Sequence, residues 1–232
     1  MWADATRVRA LTKLVLGMSA AWLLWFGMNY VVHLPAFALR AVELTAAPGH
    51  VTAAQLRTVV EQVQGNFFTA DLRRTRQSLE QLPWVRRASV HRKFPWLLQV
   101  ELEEHVALAS WNQTDLVNTN GEVFHAETDE RLPAFSGETH HSRQIAQAYG
   151  EMNRQLQPLR RHITQIALSP RLAWHIELDD GLQLALGREA VSERLARFVR
   201  AYASSVATIP GVRRVDLRYR DGFAVDAAGG AA

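Results

Sequence analysis

The chain contains no cysteine, which excludes disulfides, thiolate metal sites, iron–sulfur clusters and a cysteine nucleophile. Lysine is nearly absent too. Of 26 basic residues, only Lys13 and Lys93 are lysine and the other 24 are arginine. With so few lysines to titrate, a net charge of only +3 lifts the sequence pI to about 9.7. Because 23 acidic residues are interleaved with the basic ones, this is not the basic stripe of a nucleic-acid binder. Catalytic signatures are missing as well: there is no G-x-S-x-G, H-E-x-x-H, phosphate-binding loop or dinucleotide fingerprint. What remains is a globular composition, 48% hydrophobic over 232 residues. It excludes a disordered tail, a collagen-like fibre and a polytopic membrane protein.

Charge disappears altogether between Lys13 and Arg40. The most apolar part, Leu14 to Val32, has 19 residues and as a helix would span about 28 Å, close to the hydrocarbon thickness of a bilayer. The expectation is a transmembrane helix over 14–34, stopped by Pro35. Arg7, Arg9 and Lys13 crowd the first 13 residues, whereas the outer flank carries only Arg40 and Arg57 in its first 20. The positive-inside rule therefore puts residues 1–13 in the cytoplasm and about 190 residues outside. Two alternatives stay open. One is a helix buried in a soluble core. The other is a cleaved signal peptide of a secreted periplasmic enzyme, since Ala36-Phe37-Ala38 mimics a small-x-small cleavage site.

Beyond the apolar segment the pattern changes twice. Residues 37–47 read as a strand with Phe37, Leu39, Val42 and Leu44 as its apolar set. Thr52-x-x-Gln55 is a capping box ahead of Leu56, Val59, Val60 and Val63. A second helix places Leu72, Thr75, Leu79 and Leu82 on one face and stops at Pro83. Val85 to Lys93 and the alternating Leu98, Val100 and Leu102 are two strands around a Phe94-Pro95-Trp96 turn. The order β-α-α-β-β over 37–105 describes two helices on a small three-stranded sheet. Over 106–226 hairpin dipeptides dominate: Asn120-Gly121, Asp180-Gly181 and Asp221-Gly222. Two amphipathic helices interrupt these strands, one with Ile145, Ala148, Tyr149, Met152 and Leu156, the other with Leu195, Phe198, Val199, Tyr202 and Val206. The fold class is α+β, with an antiparallel-sheet domain following the small one and a tail at 227–232.

Polar constellations are weak. His175, Glu177 and Asp179 share one strand face, but residues two apart on a strand are about 7 Å apart, so one ion needs ligands from elsewhere. They read as a solvated face, not a metal site. Arg194, Arg197 and Arg200 follow helical spacing and also read as a solvated face. No cofactor is implied, and a translocation-type β-barrel does not fit the remaining length.

Several stretches together resemble the FtsQ (DivIB) family of bacterial cell-division proteins. They are Gly65-Asn66-Phe67-Phe68-Thr69-Ala70-Asp71, Leu82-Pro83-Trp84-Val85-Arg86-Arg87-Ala88-Ser89-Val90, Arg92-Lys93-Phe94-Pro95, Val100-Glu101-Leu102-Glu103-Glu104, Ala173-Trp174, Leu184-Ala185-Leu186-Gly187-Arg188 and Val215-Asp216-Leu217-Arg218-Tyr219. Their order along the chain carries the resemblance. It implies a POTRA domain at 37–105, a β-domain at 106–226, and a non-enzymatic divisome scaffold of the bacterial inner membrane at the division septum. The implied partners are FtsB and FtsL, and through them FtsW and FtsI. The resemblance places the partner contact at Arg171, Arg218, Tyr219, Asp221, Gly222, Phe223 and Ala224. A terminal hairpin leaves one row of backbone groups free, and a partner strand can add there. Ordinary sheet packing would also explain Tyr219 and Phe223, and a turn conformation would explain Gly222. Some relatives carry aromatics after the last strand, where this chain has Asp226 and small residues.

Overall fold

The computed structural model describes residues 2–34, 37–39, 41–220 and 222–227. The chain divides into two compact units between Glu104 and His105.

The first unit begins with α1 (Trp2–Val32). From Arg9 onward its side chains are exposed along almost the whole helix, and Arg9–Val32 is long and apolar enough to cross a membrane. Between Arg9 and Val32 the helix is apolar and almost wholly exposed, unlike the core helix of a soluble domain. The rest of the unit is β1 (Ala41–Leu44), α2 (Ala53–Glu61), α3 (Leu72–Glu80), β2 (Val85–Lys93) and β3 (Leu97–Glu104). The sheet order is β1-β3-β2, with β1 parallel and β2 antiparallel to β3. The capping box forms: Thr52 Oγ1 accepts from Gln55 N at 3.3 Å and Gln55 Oε1 accepts from Thr52 N at 2.9 Å. Asp71 caps α3 by accepting from Arg73 N and Arg74 N. Val51, Leu56, Val59, Leu79, Val85, Ala88 and Val100 make the core. Glu104 accepts from the backbone N–H of Gly49, His50 and Val51 at 3.0–3.2 Å. Burial pushes its carboxyl up, but those N–H groups outweigh this and hold it below the usual range.

The second unit is built on one nine-stranded sheet in the order β12-β11-β10-β9-β8-β7-β4-β5-β6. The strands are β4 (Ala107–Trp111), β5 (Asp115–Asn118), β6 (Val123–Phe124), β7 (Ala134–Ser136), β8 (Ile163–Leu168), β9 (Trp174–Leu178), β10 (Gln183–Gly187), β11 (Val212–Asp216) and β12 (Ala224–Ala227). The sheet is mixed, which corrects the antiparallel expectation. β4/β7, β7/β8 and β10/β11 are parallel pairs. Parallel neighbours need a crossover, and the two amphipathic helices supply two of them. Helix α4 (Ser142–Leu156) joins β7 to β8, and α5 (Val191–Ala201) joins β10 to β11. The two helices touch, so both cover the same face of the sheet. Facing them across the strands runs a buried row, Phe135, Ile166, Ile176, Leu184 and Val215, in register. After α5 the chain widens into a π-helical turn, Tyr202–Val206, so the apolar positions Tyr202 and Val206 continue the face of Leu195 and Phe198. At the other side of the domain Gly121 has φ +77°, and a Cβ there would run into the backbone of Arg143 in α4.

Candidate protein-binding edge

Strand β12 is the outermost strand on one side of the nine-stranded sheet. It pairs antiparallel with β11, Arg214 opposite Asp226, Val215 opposite Val225 and Asp216 opposite Ala224. Which backbone groups stay free follows from alternation. Leu217 N donates to Ala185 O on the β10 side at 2.9 Å, so the peptide groups of Val215 turn toward β10 and those of Arg214 and Asp216 toward β12. Their partners Asp226 and Ala224 use their own groups inward. The N–H and C=O of Val225 and Ala227 therefore point away from the sheet, a short row open to another strand. The strand extends through Ala227, one residue into the segment read as tail.

The expected tight hairpin is absent. β11 ends at Asp216 and β12 starts at Ala224, so a seven-residue connection replaces a two-residue Asp-Gly turn. Leu217 and Phe223 pack on the core from outside regular strands, so the Asp221-Gly222 dipeptide does not mark a tight turn between two strands. Four interactions hold this connection. Leu217 is buried and bonded to β10. Arg218 folds back on Asp216, with Nε to Oδ1 at 2.9 Å and Nη2 to Oδ2 at 2.6 Å. Arg197 of α5 donates from Nη2 to Tyr219 O at 3.2 Å and from Nη1 to Arg220 O. Gly187, with φ +75°, lets the Arg218 stem lie against β10, since a Cβ there would meet Arg218 Cγ at 3.1 Å. The Arg218 hydrogen bond keeps the Asp216 carboxyl below its usual range despite partial burial, and raises the guanidinium in return.

The sequence-derived residues fall into distinct places. Arg218 and Tyr219 are exposed, Tyr219 by 56%. Ala224 is exposed and opens the edge strand. Gly222 has open space where a Cβ would be. Phe223 is partly buried against the core, so it anchors the connection more than it offers a contact. Asp221 lies outside the described residues. Arg171 is exposed in the β8–β9 loop. Trp174 at the start of β9 faces Gly187 at the end of β10, and β10 runs parallel to β11. Arg171 therefore stands at the same end of the sheet as Arg218, in the loops that flank strands two positions apart, β9 and β11.

Other residues were missed. Arg194 and Arg197 do not form a solvated face: Arg194 Nη1 donates to Leu186 O at 2.6 Å, and Arg197 grips the connection. With Arg200, Arg218, Arg220, Glu189 and Glu193 they line an arginine-rich depression beside the edge. Their helical spacing was visible, but the carbonyls they reach are 8 to 23 residues distant. Glu177 and Asp179 likewise have protein partners: Asp179 meets Arg161 and His162, and Glu177 accepts from Gln183.

Two family models match the chain: "POTRA domain, FtsQ-type" over residues 37–105 and "Cell division protein FtsQ/DivIB, C-terminal" over 109–218. Curated proteins named Cell division protein FtsQ are similar over nearly the full length. The Nitrosospira multiformis protein is 37% identical over 231 residues, covering 97% of this chain and 98% of its own. The Burkholderia pseudomallei protein is 36% identical over 238 residues, covering 99% and 95%. The Bordetella pertussis protein is 34% identical over 252 residues, covering 97% and 92%.

Proposed function

Because the chain belongs to the FtsQ/DivIB family of cell-division proteins, we propose that it is an inner-membrane divisome scaffold that recruits FtsB and FtsL by strand addition on β12. In this reading α1 spans the membrane with its N-terminus in the cytoplasm, both outer units are periplasmic, and the protein works at the septum. FtsW and FtsI are reached through FtsB and FtsL. The scaffold performs no chemistry of its own.

The observation that carries the reading is the outward-facing row at Val225 and Ala227, flanked by an exposed Tyr219 and an arginine-rich depression. Backbone hydrogen bonds to an added strand supply affinity with little demand on sequence. Tyr219 supplies a large amphipathic contact at the strand's end. Arg171, Arg218 and Arg220 favour a partner with acidic residues at that end of the strand.

The test is binding of the full-length protein to an FtsB–FtsL pair. Tyr219→Ala is expected to weaken it by roughly tenfold or more, the range of an interface hot spot. Val225→Pro deletes one outward N–H and is expected to weaken binding well beyond Val225→Ala, which keeps it. Unchanged binding by both Tyr219→Ala and Val225→Pro would place the contact elsewhere. Recovery of the intact chain in membranes separates this reading from a secreted protein with a cleaved leader.

A further inference from the structure

The first unit exposes several aromatic rings. Phe68, Phe94 and Trp96 are 45%, 73% and 39% exposed, and they come from two separate stretches of chain. Topology brings them together. β1 is parallel to β3 with Ala41 opposite Leu97, so the chain arriving from α1 enters beside the Phe94–Trp96 turn. The α2–α3 connector lies at this end too, because Arg92 donates from Nε to Phe67 O at 2.5 Å and from Nη2 to Ala70 O at 2.8 Å. The rings meet edge-on, Phe37 with Phe68 at 5.0 Å, Phe67 with Phe68 at 5.2 Å and Phe67 with Phe94 at 6.0 Å. Phe67 is buried and roots the group.

Two observations indicate what covers this surface. The first is continuity with the apolar helix. α1 ends at Val32, and Asn66 Nδ2 of the connector donates to Val32 O at 2.6 Å. The aromatic end of the domain therefore meets the last turn of the segment that crosses the bilayer. The second is charge. Arg73 and Arg74 are exposed on the first turn of α3, and Lys93 closes β2. Of the nearby acids, Asp71 is engaged as the α3 cap and Glu43 pairs with Lys93 at 2.7 Å. Aromatic rings rimmed by cations at the end of an apolar helix match the chemistry of a membrane–water interface with anionic headgroups.

We propose that this end of the domain seats itself in the lipid interface around α1. Phe68 and Phe94 enter the boundary of headgroups and acyl chains, and Arg73 and Arg74 meet anionic headgroups. The domain is thereby held upright on the membrane by its own side chains, beyond the tether that α1 provides. The proposal rests on α1 spanning the bilayer.

The absence of cysteine makes the test clean, since any introduced cysteine is unique. Full-length protein carrying Phe94→Cys, Phe68→Cys, Gln81→Cys or Gly17→Cys, each alone, is spin-labelled and reconstituted in phosphatidylethanolamine–phosphatidylglycerol vesicles. Single labelling leaves the other rings in place. Labels at 94 and 68 are expected to be several-fold more accessible to oxygen, relative to a water-soluble nickel chelate, than the label at 81, which lies at the far end of α3. Adding Phe68→Glu to the Phe94→Cys protein is expected to reduce that protection. A label at 17 deep in the bilayer with a label at 94 as aqueous as that at 81 overturns the proposal while leaving the span intact. An aqueous label at 17 overturns the span itself, and the proposal with it. Protection of 94 that arises only when partner helices are added assigns the surface to protein and also overturns it.

Discussion

The two units offer opposite kinds of surface. The first presents side chains: exposed rings and cations at one end of a three-stranded sheet, a surface with no directional demand. The second presents backbone: the outward N–H and C=O groups of β12, which accept only an extended segment in register. Each mode follows from the size of the core behind it. Among the described residues the first unit's core cluster holds seven buried side chains and the second's twenty-two. A large sheet with both helices on one face can hold a short edge strand rigidly, as Leu217, Asp216 and Arg197 do here. A small domain gains more from a non-directional apolar surface laid against a bilayer. Side-chain surfaces suit a fluid solvent such as lipid, and an edge strand suits one partner chain.

That contrast breaks most visibly if the units do not unfold separately. Phe198→Ala is expected to cost about 3–5 kcal/mol and Leu79→Ala about 2–5 kcal/mol. Each should lower only its own unit's transition in denaturant unfolding of the full chain, followed by Trp84 for the first unit and by Trp111 and Trp174 for the second. A common shift of both transitions would make the core comparison meaningless.

A smaller effect is expected at Glu104, which ties the Gly49–Val51 backbone to the end of β3. Glu104→Ala leaves three N–H groups without their carboxylate and should destabilise the first unit by about 1–3 kcal/mol, with the second unit's transition unmoved in the same experiment. Smallest is the effect of acid. Glu104 and Asp216 are both held below the usual carboxylate range, so each contributes stability that is complete above the ordinary carboxylate values of about pH 4. That contribution is lost as pH falls through the lower folded values. Carboxyl chemical-shift titration should show both groups titrating late, and Arg218→Ala should return Asp216 toward its ordinary value without moving Glu104.

Much of this was legible in the linear pattern. Local spacing is enough to specify α1, the Thr52–Gln55 box, the β2 and β3 strands and the apolar faces of α4 and α5, because each depends on neighbours a few residues away. The direction of strand pairing was less legible. The strand–helix–strand order around α4 and α5 carried the signal for parallel pairs, but the hairpin dipeptides drew attention to antiparallel ones. At the proposed binding edge, Tyr219 and Arg218 were named from resemblance, and Ala224 falls on the edge strand itself. Val225, whose free N–H lies on that edge, was missed, because which side of a strand a peptide group faces depends on its pairing and not on its side chain.

The sequence alone therefore determined where charge vanishes, where α2 starts, and that the chain would be α+β without disulfides. These are consequences of solvation and local backbone preference, which act over one or two turns. Only the tertiary structure decided that Arg194 and Arg197 hold carbonyls rather than water, that β12 is the outermost strand, and that Phe68 and Phe94 stand together beside the end of α1. Each of those joins residues many positions apart, and their meeting is set by sheet order and helix crossover.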